Sequence, residues 1–139
     1  MAKYPSHRDF AKAPSDEIRV AVRGLGYYRR FKMLHQACIK LVESKSPLPR
    51  SYQDWLDLPG VGSYTAAAIS SITANEPFGV VDGNVERVLC RLADIRLAPN
   101  LPILKKNFSV WMNHIASLGD SGSINQAVKQ SRLSSHRQC

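Results

Sequence analysis

The string Leu58-Pro59-Gly60-Val61-Gly62-Ser63-Tyr64-Thr65-Ala66 constrains this chain more than any other part of it. Two glycines flank a single valine just before a run of helix-forming residues. Glycine lets the backbone turn sharply and come close to a ligand, because no Cβ stands in the way. Upstream, Ser51 with Asp54 three positions on has the spacing of a capping box, opening a helix that reaches Leu58. Downstream, Ser63 to about Thr73 is an alanine-rich helical run, with Ile69 and Ile72 expected to point inward. The pattern predicts a hairpin of two helices over about residues 51–73, with Leu58 and Val61 packing them together. The first amides of the second helix lack intrahelical partners and lie at the positive end of its dipole. An anion seated at Gly60, Val61, Gly62 and Ser63 is therefore bound by geometry and field together. The competing reading is an ordinary helix–helix turn that happens to contain two glycines.

Nearly every other periodic segment repeats at helical spacing, which predicts an all-α fold. Ser15 is placed to cap a short helix through Arg23, with Asp16 and Glu17 in its first turn, and Gly24-Leu25-Gly26 ends it. A longer helix follows, with Tyr28, Phe31, Leu34, Cys38 and Leu41 on one apolar stripe. Ser46-Pro47-Leu48-Pro49 is a break. Beyond the hairpin, Asn75-Glu76-Pro77 closes the second helix and Phe78-Gly79-Val80-Val81 reads as a short extended link. Asn84 to Ala93 is the next helix. Pro102 suits a first helical turn, ahead of the stripe Leu104, Phe108, Trp111, Ile115 and Leu118. Ser123 to Gln130 gives one or two further turns. Residues 1–130 read as one partial domain, and residues 131–139 as a disordered polar tail.

A chain of 139 residues suffices for one ordinary core. Its 44% hydrophobic and 22% charged content is globular and excludes a disordered polymer. Lys and Arg number 19 against 11 acids, a formal charge of +8 that favours a polyanionic partner, nucleic acid foremost, over an inert basic surface. The three cysteines, Cys38, Cys90 and Cys139, form no CxxC pair, so no metal site is expected, and the first two fall on apolar helix faces as buried thiols. There is no apolar run suited to a signal peptide or a membrane span. An intracellular protein that does not enter membranes is expected.

Asp82 heads the segment Asp82-Gly83-Asn84-Val85 at the mouth of a helix. Taken alone it is an N-cap, a role aspartate fills well. With the glycine string, however, the segment resembles the helix-hairpin-helix DNA glycosylases, and in detail the MutY-type adenine glycosylases. That superfamily carries its catalytic aspartate just beyond the hairpin's second helix, in a V-D-x-x-h segment, and Asp82 occupies this position. The resemblance implies a glycosylase-like helical barrel, incomplete here, and removal of adenine mispaired with 8-oxoguanine or guanine in base-excision repair. Its partner would be double-stranded DNA, bound by a monomer, in the nucleus or mitochondrion of a eukaryote or the cytoplasm of a bacterium.

The resemblance also implies roles for individual residues. Lyase members carry a lysine where this chain has Tyr64, so strand cleavage is not implied. The D-G-N-V order and Gly24-Leu25-Gly26-Tyr27-Tyr28 match the MutY pattern. Tyr27 would wedge into the DNA stack beside the lesion. Tyr28 begins an apolar stripe and is assigned to the core. Tyr64 and Asn84 would line or brace the pocket.

Two departures qualify the likeness. The family's general acid is a glutamate in a segment resembling E-V-M-L-Q-Q-T, which precedes the position of Tyr4, and Glu17, Glu43, Glu76 and Glu86 match nothing in it. Asn125-Gln126-Ala127 matches the family's N-Q-A, but the sequence diverges near Val128, before the four cysteines that hold a 4Fe–4S cluster. No cofactor is expected in this chain. The chain reads as the middle of an adenine glycosylase, and the alternative is a non-enzymatic DNA-binding fragment or truncated gene product.

Overall fold

A computed structural model describes residues 3–45, 47–96 and 101–131. Ser46 of the expected break, Cys139, and the expected tail beyond Ser131 lie outside them. Among the described residues the secondary structure is entirely helical, with eight helices and no strand. The chain forms two compact units, Met1–Pro49 with Leu56–Val61, and Arg50–Trp55 with Gly62–Cys139.

The first unit holds α1 (His7–Lys12), α2 (Ser15–Ala21) and α3 (Tyr28–Glu43). The short α4 (Tyr52–Leu56), where the Ser51 Oγ accepts from the Asp54 amide at 3.1 Å, stops before Leu58 and does not reach it as expected. The periodicity of the sequence shows no sign of α1, since six residues with no buried side chain form no stripe. Its local signal is Ser6, whose Oγ accepts from the Asp9 amide at 3.2 Å. Ser15 is not a cap but the first residue of α2, because Pro14 takes the cap position with extended backbone. That helix stops at Ala21, short of Arg23, and the chain turns through Gly24 and Gly26, both left-handed (φ +89° and +72°).

The buried face of α3 is rotated from the expected stripe. His35, Ala37 and Cys38 are buried, whereas Leu34 is 52% exposed and Tyr28 is exposed as well. The cause is α1, which packs on α3 and brings Phe10 edge-on to the His35 ring at 5.5 Å. Helical periodicity finds a face only to within a residue when a polar aromatic such as histidine joins it.

In the second unit α5 (Ser63–Ala74), α6 (Gly83–Leu92), α7 (Pro102–Ala116) and α8 (Ser121–Gln130) surround a core of Val85, Leu89, Cys90, Leu104, Phe108 and Met112. Each large apolar side chain buried there contributes about 1.5–3 kcal/mol. On α7 the buried positions are Leu104, Phe108, Met112 and Ala116, a strict four-residue repeat. Trp111 and Leu118, expected on that stripe, are exposed, and Leu118 lies past the helix end.

The inward face of α5 is built of small residues, Ala66, Ala67, Ser70 and Ser71, while Ile72 is 58% exposed. A Cβ at Gly122 would meet the Ile72 Cα and the Ser71 carbonyl at 3.0 Å, so α8 approaches the α5 backbone too closely for a side chain at position 122. The α8 helix also starts earlier than expected, at Ser121, with Asp120 as its cap accepting from the Ser123 amide at 2.6 Å.

Polar side chains fix the link between α5 and α6. Asn125 of α8 donates to the Phe78 carbonyl (2.9 Å) and accepts from the Val80 amide (3.0 Å). Asn113 of α7 accepts from the Gly79 amide at 2.7 Å. Gly79 touches the Met112 backbone so closely that a Cβ there would lie 2.3 Å from it. The segment leading into Asp82 is therefore clamped from two helices.

Candidate functional site

Asp82 has extended backbone (φ −117°, ψ 178°) and caps α6. Its Oδ1 accepts from the amides of Asn84 and Val85 at 2.8 and 3.0 Å. Its Oδ2 accepts from the Tyr64 hydroxyl at 3.1 Å and lies 3.8 Å from the Lys129 ammonium. Tyr64 arrives from the first turn of α5, and Lys129 from the last turn of α8. Three elements of one unit therefore converge on one carboxylate. Cap and cluster member are compatible roles, because each engages a different oxygen.

Partial burial pushes the Asp82 carboxyl up. The Val85 and Asn84 amides, the Tyr64 hydroxyl and the Lys129 charge together outweigh that and hold it below its usual 3.8. It is an anion at neutral pH, oriented and partly shielded from water. A fixed anion of this kind stabilises positive charge that develops on a bound molecule.

Asn84 gives its amide to Asp82, while its side chain accepts from the Arg87 guanidinium and is exposed. Its amide group thus faces Arg87. The sequence pattern around Lys129 does not mark it as a partner of Asp82. The available signal was its position one helical turn beyond Asn125, the residue that clamps the link into Asp82.

The glycine string divides between the units at Val61. Gly60 is left-handed (φ +78°), and a Cβ there would lie 2.4 Å from the Met33 Cβ. Both the conformation and the close approach require glycine. The turn is closed by the Val61 amide, which donates to the Leu58 carbonyl at 3.1 Å. Leu58 is buried. On the other side Gly62 is the N-cap residue of α5, with extended backbone and no side chain to offer its amides. Ser63 and Tyr64 therefore present helix-start amides without a side-chain cap.

Tyr27 belongs to the first unit, preceding α3, and is 59% exposed with the Arg30 guanidinium 4.9 Å from its ring centroid. Tyr28, assigned to the core from its place on the stripe, is also exposed, and its hydroxyl oxygen accepts from the Gly24 amide at 3.5 Å. The reason is the rotation of α3 towards His35. Of the glutamates, Glu17 pairs with Lys3 (2.8 Å), Glu76 accepts from the Tyr52 amide (2.5 Å), and Glu86 is buried 4.0 Å from Lys105.

A 4Fe–4S cluster needs four thiolates. The chain has three cysteines, and Cys38 and Cys90 are buried on helices of different units. Among the described residues no three metal-ligating side chains gather. No helix among them is long and apolar enough to cross a membrane.

Comparison with known proteins gives a consistent set of matches. A family described as "HhH-GPD superfamily base excision DNA repair protein" matches residues 1–113. Human adenine DNA glycosylase is 37% identical over 132 residues, covering 94% of this chain and 24% of that protein. Adenine DNA glycosylase of Schizosaccharomyces pombe is 40% identical over 135 residues, covering 94% of this chain and 29% of that protein. Among solved structures, a trapped endonuclease III–DNA covalent intermediate superposes with a TM-score of 0.68 at 25% identity, covering 90% of this chain and 60% of that one. A non-covalent endonuclease III–DNA complex gives 0.70 at 24% identity, covering 91% and 58%, a likeness of fold. The chain spans about a quarter of the length of these glycosylase relatives.

Proposed function

The chain belongs to the HhH-GPD superfamily of base excision DNA repair proteins, and from that membership we propose that it breaks the N-glycosidic bond of an adenine mispaired with 8-oxoguanine or guanine in duplex DNA. The observation that carries this reading is the Asp82 carboxylate, fixed by two helix amides on one oxygen and by Tyr64 on the other. As the C1′–N9 bond of the nucleotide breaks, its electron pair leaves with the adenine, which takes up a proton. The sugar is left cationic. Asp82 stabilises that cation, and water then adds at C1′ and gives up a proton. The low carboxyl pKa keeps Asp82 ionised for this work.

The remaining parts serve positioning. A backbone phosphate seats on the uncapped amides of Ser63 and Tyr64, where Gly60, Val61 and Gly62 allow the strand to come close. Exposed Tyr27 wedges into the stack and offsets part of the cost of flipping the base. Tyr64 orients Asp82. It stands where lyase members carry lysine, so the product is an intact abasic strand.

The test is single-turnover adenine release by the full 139-residue chain, from duplexes carrying A:8-oxoguanine and, for comparison, A:T. Release from the mispair without strand cleavage is the expected result, falling about 10²–10³-fold in Asp82→Asn. A folded chain that binds duplex and releases nothing would contradict the reading and leave a DNA-binding module.

A further inference from the structure

The two oxygens of Asp82 have different surroundings. Oδ1 is taken by the Asn84 and Val85 amides, inside the start of α6. Oδ2 is the oxygen left to face a bound molecule, and it already meets the Tyr64 hydroxyl at 3.1 Å and the Lys129 ammonium at 3.8 Å. Lys129 is brought there by the docking of α8 on α5. The Ser121 amide donates to Asn75 Oδ1 at 2.7 Å, and the Asn125 Nδ2 donates to Ser71 Oγ at 3.2 Å. Lys129 follows one turn after Asn125 on the same side of the helix.

An ammonium can do two things to a carboxylate that must stabilise a cation. It can keep the carboxylate charged, or it can cancel the field that the carboxylate exerts. The first is done without it. The Val85 and Asn84 amides and the Tyr64 hydroxyl each hold the Asp82 carboxyl down more strongly than Lys129 does. Even at its ordinary 3.8 the group is ionised at neutral pH. The second effect remains. A cation forming against Oδ2 meets an ammonium on the same oxygen, and like charges so close oppose each other. The Asp82 side chain is 23% exposed and that of Lys129 47%, so water screens the pair only in part.

We propose that Lys129 restrains the glycosylase site, its ammonium masking the Asp82 oxygen that faces the sugar and so slowing the release of adenine. The inference rests on the glycosylase reading. Tyr64 and Lys129 share one oxygen and differ in effect. A neutral hydroxyl orients the carboxylate and leaves its charge intact, whereas an ammonium offsets that charge. Lys129 acts on the reaction only through Asp82.

The test is single-turnover adenine release by the full chain at saturating A:8-oxoguanine duplex, where differences in affinity drop out, compared with Lys129→Gln and Lys129→Arg. Removing the charge should raise the rate about fivefold, the upper end for a half-exposed ion pair. The arginine variant keeps the charge and should match the wild type. A lysine that only braced α8 or oriented Asp82 would give the reverse, a slower Lys129→Gln. Should that variant not fold, Lys129→Met, uncharged and of similar length, takes its place. Adenine release that is equal or slower without the charge would overturn the restraint and leave the glycosylase reading standing. An equal rise in Lys129→Arg would also overturn it, because charge would not be the cause. Release by Lys129→Gln from a site that is silent in the wild type would support both. No release by any folded form would overturn both.

Discussion

Two helix starts in the second unit share a backbone and differ in chemistry. Gly62, ahead of α5, has φ −92° and ψ 175°, and Asp82, ahead of α6, has φ −117° and ψ 178°. At α6 the carboxylate of Asp82 satisfies two of the orphan amides and neutralises the positive end of the dipole. At α5 the cap residue, Gly62, has no side chain to do so. One start is closed by an internal anion, and the other is left open for an external one. The difference of a single side chain thus separates a place that contributes an anion from a place that accepts one.

The contrast is broken most severely at Asp82. Asparagine caps a helix about as well as aspartate, so Asp82→Asn should shift stability by less than about 1 kcal/mol. Release of adenine should fall about 10²–10³-fold all the same, because the charge is gone. Thermal denaturation beside single-turnover kinetics checks both halves. If stability and release fall together, Asp82 is a structural cap alone.

The next effect lies at Gly60. Gly60→Ala places a side chain in the left-handed region and against Met33, which should cost about 2–4 kcal/mol in urea unfolding. Gly62→Ala has nothing within 4 Å of its new Cβ and a favourable φ, and should fold normally. Equal losses at the two glycines would mean that the turn is not held as described.

Gly62→Asp sharpens the comparison by copying the α6 cap onto α5. It should gain a few tenths of a kcal/mol in stability while weakening duplex binding at least about tenfold, because like charges then oppose each other. Fluorescence anisotropy with a labelled duplex reads the binding. Unchanged affinity would move the phosphate elsewhere.

The smallest effect is in pH. The carboxyls of Asp82 and Asp120 both lie below their usual 3.8 in the folded chain. Their contribution to stability is therefore complete above the unfolded value and is lost as pH falls through the lower folded values. Urea midpoints should decline between about pH 5 and about pH 3, and less steeply in Asp82→Asn. Identical pH profiles would show that Asp82 is not held down by its amides.

The hairpin and the aspartate were legible in the sequence because each depends on local chemistry. Glycine is needed at Gly60 for a positive φ and a close approach, and Asp82 reaches amides two and three residues away. The identity of helix faces was less legible. Leu34, Ile72 and Trp111 are as apolar as their neighbours, yet α1 packs α3 on its His35 side, and α5 buries Ser70 and Ser71 in place of Ile72. Such choices are set by partners distant in sequence. The same is true of Lys129, whose place beside Asp82 depends on α8 being docked through Asn125 on the link from Phe78 to Val80.

The most direct measurement is an amide NMR titration of the full chain with an undamaged duplex. Seating of a phosphate on the open start predicts large, salt-sensitive shifts at the amides of Ser63, Tyr64 and Thr65. The amides of Asn84 and Val85, already bonded to Asp82, should move much less. Shifts of equal size at both starts, or none at Ser63, would contradict the division between an accepting and a contributing helix start.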